Sequence, residues 1–338
     1  MSDLEGVFDK VSAQPQNLPL LATQETCSGR TYIVTGANSG LGFEAAKHLV
    51  ALDASQVILA VRNLSAGSKA KADIEASTGK TGSIKVWHLD LPSYKSVEAF
   101  AKRAALELDR IDALVENAGL AAEMDNFAQS HPAMFTVNVY STLLLAVLLL
   151  PKMKEDAQRL KTTPHITIVS SNSAFHGKPL WDLCKDATNP LQKIVEVGQL
   201  DMGSGYTVSK LFLLLAVRHI ASLIPVSSTG VVVNTVCPGL CKTNINRNAP
   251  DNIKAITASM MNQFGRTAED GSRTLLFAAI AGANSHGKFS ADCEIKDDSI
   301  IPDWITAEEA KDGQKRLWAS ISKEIESASP GSIAKILN

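Results

Sequence analysis

The feature that most constrains the fold of this chain is a regular alternation of short β-branched runs with segments of helical period. Such runs are typical of strands buried on both faces, and parallel strands need a helical crossover between them. We therefore predict an α/β fold, a doubly wound parallel sheet of the Rossmann type in a single domain. The six predicted strands lie at residues 31–35, 56–61, 84–89, 111–115, 166–170 and 231–236.

The same pattern divides the chain. Residues 1–28, with prolines among polar residues, are predicted to form a loosely structured N-terminal lead-in before the domain at 29–338. After the sixth strand the pattern loosens, which indicates a substrate-binding and C-terminal segment at 244–338. Long helices are predicted near residues 132–154, 206–223, 252–264, 268–280 and 307–325, and a last strand from Gly287.

Composition and charge exclude several classes of protein. The apolar fraction of 45% and charged fraction of 20% are those of an ordinary packed domain. Lys and Arg number 33 against 35 Asp and Glu, without a basic block, so nucleic acid is not an expected partner. The longest apolar run, 143–150, is under half of the roughly 20 residues that a membrane span needs, so it is interpreted as a buried helix.

The cysteines and the N-terminal residues indicate in which cellular compartment the protein is expected. The five cysteines are scattered, with no His or Cys cluster that would complete a metal site, so we predict reduced thiols and no metal. The N-terminal residues are acidic and polar, unlike a signal peptide. These observations predict a cytoplasmic protein.

A glycine-rich turn follows the first predicted strand. The segment GANSGLG places Gly36, Gly40 and Gly42 where the strand passes into a helix that begins near Leu41. At such a turn, backbone N–H groups and the positive helix end can face a pyrophosphate, which approaches closely only where side chains are absent. Three glycines also occur in plain structural turns, and that alternative stays open from the turn alone.

The end of the second strand bears on cofactor choice. A carboxylate there would bind the ribose 2′-hydroxyl of NAD, whereas a cation suits the 2′-phosphate of NADP. The chain has Arg62 at this point and no acid at Val61, which favours NADPH. A solvated surface arginine is the alternative.

Tyr206 and Lys210, in YTVSK, are four residues apart at the start of a predicted apolar helix, so both side chains share one face. A nearby ammonium lowers the pKa of a phenol, which is otherwise about 10, and lets it exchange a proton near neutral pH. A Tyr and a Lys at this spacing are also common on exposed helix faces. The strand that ends at Ser170 and Ser171 precedes this helix, and the carboxyl ends of parallel strands border the ligand crevice.

Taken together, TGANSGLG, ENAG, TVNVYS, SSNSA, YTVSK and CPGLCKT resemble the ordered motifs of the short-chain dehydrogenases/reductases. The resemblance covers residues 29–293. In detail it is most similar to the retinol-dehydrogenase-like and protochlorophyllide-reductase-like branch, on account of AVRN after the second strand and the GKFSADC segment.

The resemblance implies a role for each catalytic candidate. Ser171 would polarise the substrate carbonyl, Tyr206 would exchange the proton, and Lys210 would hold the nicotinamide ribose and tune Tyr206. Asn138 would position a water for proton relay, with a helix-stabilising side chain as the alternative or additional role. Ser171 is chosen because the active serine of the family immediately precedes an SxAG-like loop, although Ser170 is adjacent.

The resemblance also implies a set of cofactor contacts. The pyrophosphate would lie against the glycine-rich turn, the adenine after the third strand, the ribose beside the ENAG segment, and the nicotinamide amide and diphosphate beside the CPGLCKT segment. The candidate contacts are Gly36, Asn38, Ser39, Gly40, Leu41, Gly42, Arg62, Asp90, Leu91, Asn117, Ala118, Gly119, Tyr206, Lys210, Pro238, Gly239 and Thr243.

Two features depart from the family pattern. The usual first Asn before Asn-Ala-Gly is Glu116, so its sheet-stabilising role is lost or replaced. Ser171 and Tyr206 are 35 residues apart, which places an insertion at 176–205 by the pocket mouth. Long loops in compact domains are usually functional or disordered, so we predict a lid, with a surface excursion as the alternative.

The leading hypothesis is reduction of a ketone or aldehyde on a lipophilic small molecule by NADPH, with Tyr206 as proton donor. Oxidation of a lipophilic alcohol with NADP+ is the runner-up, because the proton machinery is reversible. A non-redox cyclase or isomerase and an NADP-sensing protein are alternatives on the same fold. The resemblance leaves both a monomer and a homodimer open, because relatives pair through the helices that here begin near Pro132 and Tyr206, and an insertion can cover that face.

Overall fold

In a computed structural model that describes residues 12–337, the β-branched runs form strands whose side chains are almost entirely buried. Most predicted strand positions hold to within two residues, because helices cover both faces of the sheet and only buried apolar runs suit that environment. The strands are β1 Thr31–Thr35, β2 Gln56–Val61, β3 Ile84–His88, β4 Ala113–Glu116, β5 Phe127–Ala128, β6 His131–Pro132, β7 His165–Val169, β8 Val232–Cys237, β9 Phe289–Ala291 and β10 Glu294–Ile295.

Eight of these strands form one sheet in the order β10-β9-β8-β7-β4-β1-β2-β3, while β5 and β6 form a separate short hairpin. Every neighbouring pair in the large sheet is parallel except β9 and β10. The chain crosses from β3 back to β4 beside β1, so the strand order reverses there, as at the switch point of a doubly wound sheet. The predicted α/β fold class is confirmed.

Helices cover both faces of the sheet, and a π-helical turn, Thr136–Ser141, joins two of them. Short 3₁₀ turns occur at Asn172–His176 and Ala283–Ser285. The α-helices are α1 Gln24–Cys27, α2 Gly40–Ala51, α3 Leu64–Thr78, α4 Tyr94–Glu107, α5 Ala133–Phe135, α6 Thr142–Leu160, α7 Lys178–Asp182, α8 Pro190–Val197, α9 Met202–Leu223, α10 Val226–Thr229, α11 Asp251–Phe264, α12 Ala268–Ile280, α13 Asp297–Ile300, α14 Asp303–Thr306, α15 Ala310–Ala328 and α16 Ser332–Leu337.

Strand alternation separates the core into two parts. On β4, Ala113 and Val115 belong to the part that includes residues of α2 and α12, whereas Leu114 belongs to the part that includes residues of α4, α6 and α9. Two helical stretches, 133–160 and Met202–Leu223, are long and apolar enough to cross a membrane by length and composition alone. Most of each lies inside the protein, 94% and 67% of the most apolar window respectively, which is typical of core helices.

Two sequence expectations need correction. The predicted last strand is a hairpin, because Asp292 and Cys293 adopt positive φ angles of 54° and 58° and turn the chain between β9 and β10. The loosely structured lead-in is wrong for residues 12–28, which contain α1 and bond to the domain through side chains such as Gln14. Residues 1–11 lie outside the described part of the chain.

Candidate active site

The sequence candidates follow the strands at one edge of the sheet. Gly36 follows β1, Arg62 follows β2, Asn117 follows β4, Ser171 follows β7 and Pro238 follows β8. Parallel strands bring their carboxyl ends to the same edge, and ligands of open α/β sheets bind in the crevice there. The fold therefore gathers separate motifs along one edge.

The glycine turn is shaped by close backbone approach. Gly36 and Gly40 have φ angles of +67° and +59°, a region that glycine adopts readily. A Cβ at Gly42 would lie 2.5 Å from Asn117 Nδ2, which leaves no room for a side chain. Ser39, at the N-cap of α2, makes no capping hydrogen bond through its side chain. The turn presents a helix N-terminus of the kind that binds phosphate.

The segment after β4 lies directly against this turn. Asn117 Nδ2 donates to the carbonyl oxygen of Thr35 at 2.9 Å, and Ala118 N–H donates to Thr35 Oγ1 at 2.9 Å. On the opposite side, a Cβ at Gly40 would lie 3.5 Å from Thr243 Cγ2. Residues 117–119 and 238–243, the latter called here the cofactor-side loop, thus flank the glycine turn.

The far end of the crevice carries Arg62, Asp90 and Leu91. Arg62 is exposed beyond β2, next to Asn63, which caps α3. Asp90 Oδ1 is buried without a hydrogen-bond partner, although burial of an unsatisfied acceptor is costly. Leu91 is buried beside it. An amine donor from a ligand would satisfy Asp90 at this position.

The two adjacent serines point to different surroundings. Ser170 is buried, and its Oγ donates to the carbonyl oxygen of Lys210 at 3.2 Å. Ser171 is half-buried at the start of the 3₁₀ turn, near enough to Tyr206 for its hydroxyl to lower the pKa of that phenol. Its Oγ also accepts from Ser173 N–H at 3.2 Å. Of the pair, Ser171 is therefore the one placed beside the phenol.

Tyr206 and Lys210 lie on α9, which begins four residues earlier than the sequence predicts. Asp201 and Ser204 form a capping box that fixes its start at Met202, so Tyr206 occupies the second turn. Lys210 Nζ lies 5.8 Å from the centre of the Tyr206 ring and donates to the carbonyl oxygen of Val169 at 2.7 Å. The predicted pair therefore shares one helix face at the sheet edge.

The predicted lowering of the Tyr206 pKa is wrong for this structure. Burial raises the pKa of Tyr206, the nearby Cys237 thiol raises it further, and the Ser171 hydroxyl lowers it only in part. Burial also lowers the pKa of Lys210 to about 8. Desolvation is the largest cause of both shifts, and it favours the neutral phenol and the neutral amine.

Asn138 lies in the π-helical turn, and both polar atoms of its side-chain amide hydrogen-bond with other residues of the protein. Its Oδ1 accepts from Leu120 N–H at 2.8 Å, and its Nδ2 donates to Leu120 O at 2.9 Å and to Ser209 Oγ at 3.0 Å. The side chain therefore holds the segment after Gly119 against α9. These contacts match the helix-stabilising role, while water positioning stays a prediction.

Two residues at the cofactor-side loop carried no recognisable sequence signal. Arg266 is fully buried, and its Nη1 donates to Pro238 O at 2.8 Å. Gln14 Oε1 accepts from Leu240 N–H at 2.9 Å. Gly239, with φ +77°, lies so close that a Cβ would be 2.6 Å from both side chains. Both hydrogen bonds end on main-chain atoms, so no sequence motif identifies Arg266 or Gln14 as partners of this loop.

The unusual Glu116 is buried at the end of β4. Neither carboxyl oxygen has a hydrogen-bond partner, and desolvation raises the pKa of Glu116 well above its usual range. Glu116 is therefore present as a neutral acid over a wider pH range than an exposed glutamate. It does not reproduce the hydrogen bonding expected of an asparagine at this position.

The insertion at 176–205 packs into the domain. Its Trp181 and Ile194 are buried in the same core as α9, and a Cβ at Gly313 of α15 would lie 2.7 Å from Trp181. Arg316 of α15 donates to the carbonyl oxygen of Lys185 at 2.9 Å. These contacts do not fit a loose surface excursion. The lid stays a prediction.

Within residues 12–337, no group of three or more His, Cys, Asp or Glu side chains lies together in a way that could hold a metal ion. All five cysteines are buried free thiols.

Comparisons with known proteins point in one direction. The profile of the short chain dehydrogenase family matches residues 30–183. The short chain dehydrogenase/reductase dmxR8 of Cryptosporiopsis sp. is 42% identical over 310 residues, which cover 90% of this chain and 93% of that protein. The short-chain dehydrogenase/reductase phmF of Phaeosphaeria nodorum is 37% identical, covering 87% and 86%.

Solved structures give the same fold. A short chain dehydrogenase from Shigella flexneri, complexed with NADP, has a TM-score of 0.58 at 20% identity and covers 80% of this chain and 100% of its own. A short chain dehydrogenase from Escherichia coli CFT073, complexed with NADPH, has a TM-score of 0.58 at 22% identity, covering 80% and 99%. At such identities the likeness concerns the fold alone.

Proposed function

Because the chain belongs to the short-chain dehydrogenase/reductase family, we propose that it reduces a ketone or aldehyde on a lipophilic small molecule, with NADPH as hydride donor. The observation that carries this proposal is the placement of Ser171 near Tyr206, with Lys210 Nζ 5.8 Å from the centre of the Tyr206 ring, at the edge that also holds the glycine turn. A hydroxyl pair beside a cation is suited to carbonyl polarisation and proton transfer.

NADPH fits the residues along the crevice. The glycine turn and the N-terminus of α2 would hold the diphosphate, and the unpartnered Asp90 Oδ1 would accept from the adenine amine. The exposed Arg62 would pair with the 2′-phosphate. The solved relatives that contain NADP or NADPH support the same choice. When bound, the cofactor supplies the hydride.

The residues of this chain would then handle the carbonyl oxygen and the proton. Ser171 and Tyr206 would hold the oxygen between two hydroxyl groups, and Tyr206 would donate its proton as charge develops there. Lys210, which is charged below a pKa of about 8, would bind the ribose. Its positive charge would also stabilise the phenolate that Tyr206 becomes when it gives up its proton. Asn138 would keep the segment after Gly119 in place and take part in proton supply.

The raised pKa of Tyr206 favours the reductive direction. Reduction needs a protonated phenol as donor, whereas alcohol oxidation needs a phenolate as base. Because burial favours the neutral phenol, Tyr206 is prepared for the first task at neutral pH. Together with NADPH as the proposed cofactor, this protonation state leads us to rank ketone or aldehyde reduction above oxidation of an alcohol.

A lipophilic substrate is supported by α11. None of its side chains is buried, yet Ile253, Met260 and Phe264 share a half-exposed apolar face, and Ile256 is 58% exposed. Met124 lies against the catalytic helix α9, because a Cβ at Gly205 would lie 2.4 Å from the Met124 sulfur. Apolar, adaptable side chains of this kind suit a lipophilic ligand. The buried free thiols agree with a cytoplasmic enzyme.

The test is a screen of NADPH consumption against a panel of ketones, aldehydes and quinones, repeated with NADH and, in reverse, with alcohols and NADP+. We expect turnover of apolar carbonyl compounds with NADPH. Tight NADPH binding without turnover of any compound would contradict the proposal and favour the sensor. A product of unchanged oxidation state would favour an isomerase or cyclase.

A further inference from the structure

An N-terminal strap, residues 14–19, lies against the part of the chain that follows β8. It binds through both side chains and main chain, and each hydrogen bond described for it ends on a residue between 240 and 293. Leu18 N–H, for example, donates to Asp270 Oδ1 at 2.6 Å. Although most strap residues are exposed, their hydrogen bonds run to the cofactor-side loop, to the C-terminal end of α11 and to residues between 266 and 293.

Gln14 makes the most specific of these contacts. Its Oε1 accepts from Leu240 N–H, and its Nε2 donates to both Leu240 O and Phe264 O, each at 2.9 Å. Leu240 belongs to the cofactor-side loop, and Phe264 is the last residue of α11. A single side-chain amide therefore joins the loop to the helix.

This link matters because core packing does little to hold α11, and it adds to two main-chain hydrogen bonds just beyond the helix, in which Arg266 N–H donates to Leu240 O and Lys242 N–H donates to Arg266 O, both at 2.9 Å. No side chain of α11 is buried, so core packing does not fix its position as it does for α9. Hydrogen bonds at its C-terminal end therefore carry more of the positioning than they would in a core helix. Gln16 contributes one further bond, from Nε2 to Phe264 O at 3.0 Å.

The cofactor-side loop is closely fitted to the same strap. Arg266, fully buried, donates through Nε to Pro15 O at 2.7 Å and through Nη1 to Pro238 O at 2.8 Å. The other end of the loop, at Thr243, lies against Gly40 of the glycine turn. Contacts thus run without a break from α11 through Gln14 and the loop to the turn.

We infer that Gln14 is a positioning residue that sets α11 relative to the cofactor-side loop, and so sets the substrate relative to the nicotinamide. The inference rests on the proposed function, in which the loop contacts the cofactor and α11 contacts the substrate. Gln14 touches neither ligand in this arrangement and acts through Leu240 and Phe264.

Gln14→Glu tests the inference, because it keeps the size and the acceptor for Leu240 N–H but places a carboxylate against two carbonyl oxygens. Gln16→Glu is the matched control, since it loses one exposed bond. We measure the NADPH dissociation constant, KM and kcat for the best carbonyl compound of the panel, the unfolding temperature, and trypsin cleavage after Arg247 and Lys254.

For Gln14→Glu we expect KM to rise about tenfold, as the loss of two net hydrogen bonds implies, with kcat within about twofold. Cleavage after Lys254 should quicken at least about fivefold with NADPH bound, whereas Gln16→Glu should change neither quantity by more than about twofold. A lower unfolding temperature with parental KM and cleavage would overturn the inference and leave Gln14 a structural residue.

The two proposals fail in different ways. If the parent protein does not bind NADPH, the proposed function is wrong, but trypsin cleavage of the free protein still compares Gln14→Glu with its control. If the parent binds and turns over NADPH while cleavage and KM are unchanged in Gln14→Glu, the inference alone is wrong.

Discussion

Ser170 Oγ donates a hydrogen bond to the main-chain oxygen of Lys210 at 3.2 Å, while the neighbouring Ser171 hydroxyl meets Tyr206. Adjacent residues in extended backbone point to opposite sides, so only one of the two serines can reach the crevice. The sequence alone does not distinguish the two serines, but this structural difference allows them to be compared as a matched pair of substitutions.

Ser171→Ala should lower kcat by about 10²- to 10³-fold, because it removes a donor to the developing oxyanion. The NADPH dissociation constant should stay within about twofold, since Ser171 lies at the substrate end. Steady-state kinetics and NADPH titration measure both. Ser170→Ala is the control, which should keep kcat and lose about 1 kcal/mol of unfolding free energy with its buried hydrogen bond. The reverse order of effects would reassign the catalytic serine.

Tyr206→Phe should lower kcat by about 10²- to 10⁴-fold while the fold and NADPH affinity persist, because only the proton donor is lost. Single-turnover measurements with saturating NADPH isolate the chemical step. Tyr32→Phe is the matched control: it removes another phenol, whose OH donates to Thr26 O at 3.4 Å on α1, outside the crevice. Near-parental turnover in Tyr206→Phe would rule out the proposed proton transfer.

The lowered pKa of Lys210 predicts a pH dependence of NADPH binding. Lys210 is charged below about pH 8 and loses its charge above that value, so the NADPH dissociation constant should rise as the pH increases through about 8. NADPH titrations on either side of this pH give the profile. Lys210→Met should bind NADPH weakly at every pH without the inflection. An unchanged inflection in Lys210→Met would assign the titration to another group.

Arg62→Ala should reduce the preference for NADPH over NADH by about tenfold, the effect of one charge-assisted contact to phosphate. The NADH dissociation constant should hardly change, since NADH has no 2′-phosphate. Titration with both cofactors measures the ratio. Lys69→Ala, on the exposed face of α3, is the control for a general loss of positive charge. Equal affinity of the parent for NADPH and NADH would contradict the cofactor assignment.

Much of the architecture could be predicted because it depends on local pattern. The buried runs of β1 and β2 have the bounds that the sequence predicts, since β-branched residues between turn signals rarely form anything else in an alternating α/β chain. The motifs at Gly36, Ser171 and Tyr206 could be placed together because parallel strands share one carboxyl edge.

What could not be predicted depends on contacts distant in the sequence. Gln14 binds Leu240 and Phe264 across more than two hundred residues through main-chain atoms, which leave no side-chain signature. Spacing predicts a lowered Tyr206 pKa because it reveals a nearby Lys, but it does not reveal how completely burial removes water from both groups. The turn at Asp292 and Cys293 lacks the usual Asn-Gly or Asp-Gly signal, so the hairpin reads as one strand.

Glu116 provides a test that concerns stability rather than catalysis. Burial raises its pKa in the folded chain, so above the pKa of an unfolded glutamate the folded state binds more protons than the unfolded state does. The contribution of Glu116 to stability is therefore fully present at acidic pH and is lost as the pH rises toward the folded pKa. Glu116→Gln, which keeps the shape of the neutral acid and cannot ionise, should remove this loss.

We therefore expect the unfolding temperature of Glu116→Gln to exceed that of the parent by a margin that grows from pH 4 toward pH 8. Glu309→Gln, on an exposed residue before α15, is the control and should show no growing margin. Thermal unfolding followed by circular dichroism across this range gives both differences. A constant margin would mean that Glu116 finds a partner in solution that offsets its burial, whereas a growing one shows that a carboxylate at the end of β4 costs stability when it ionises.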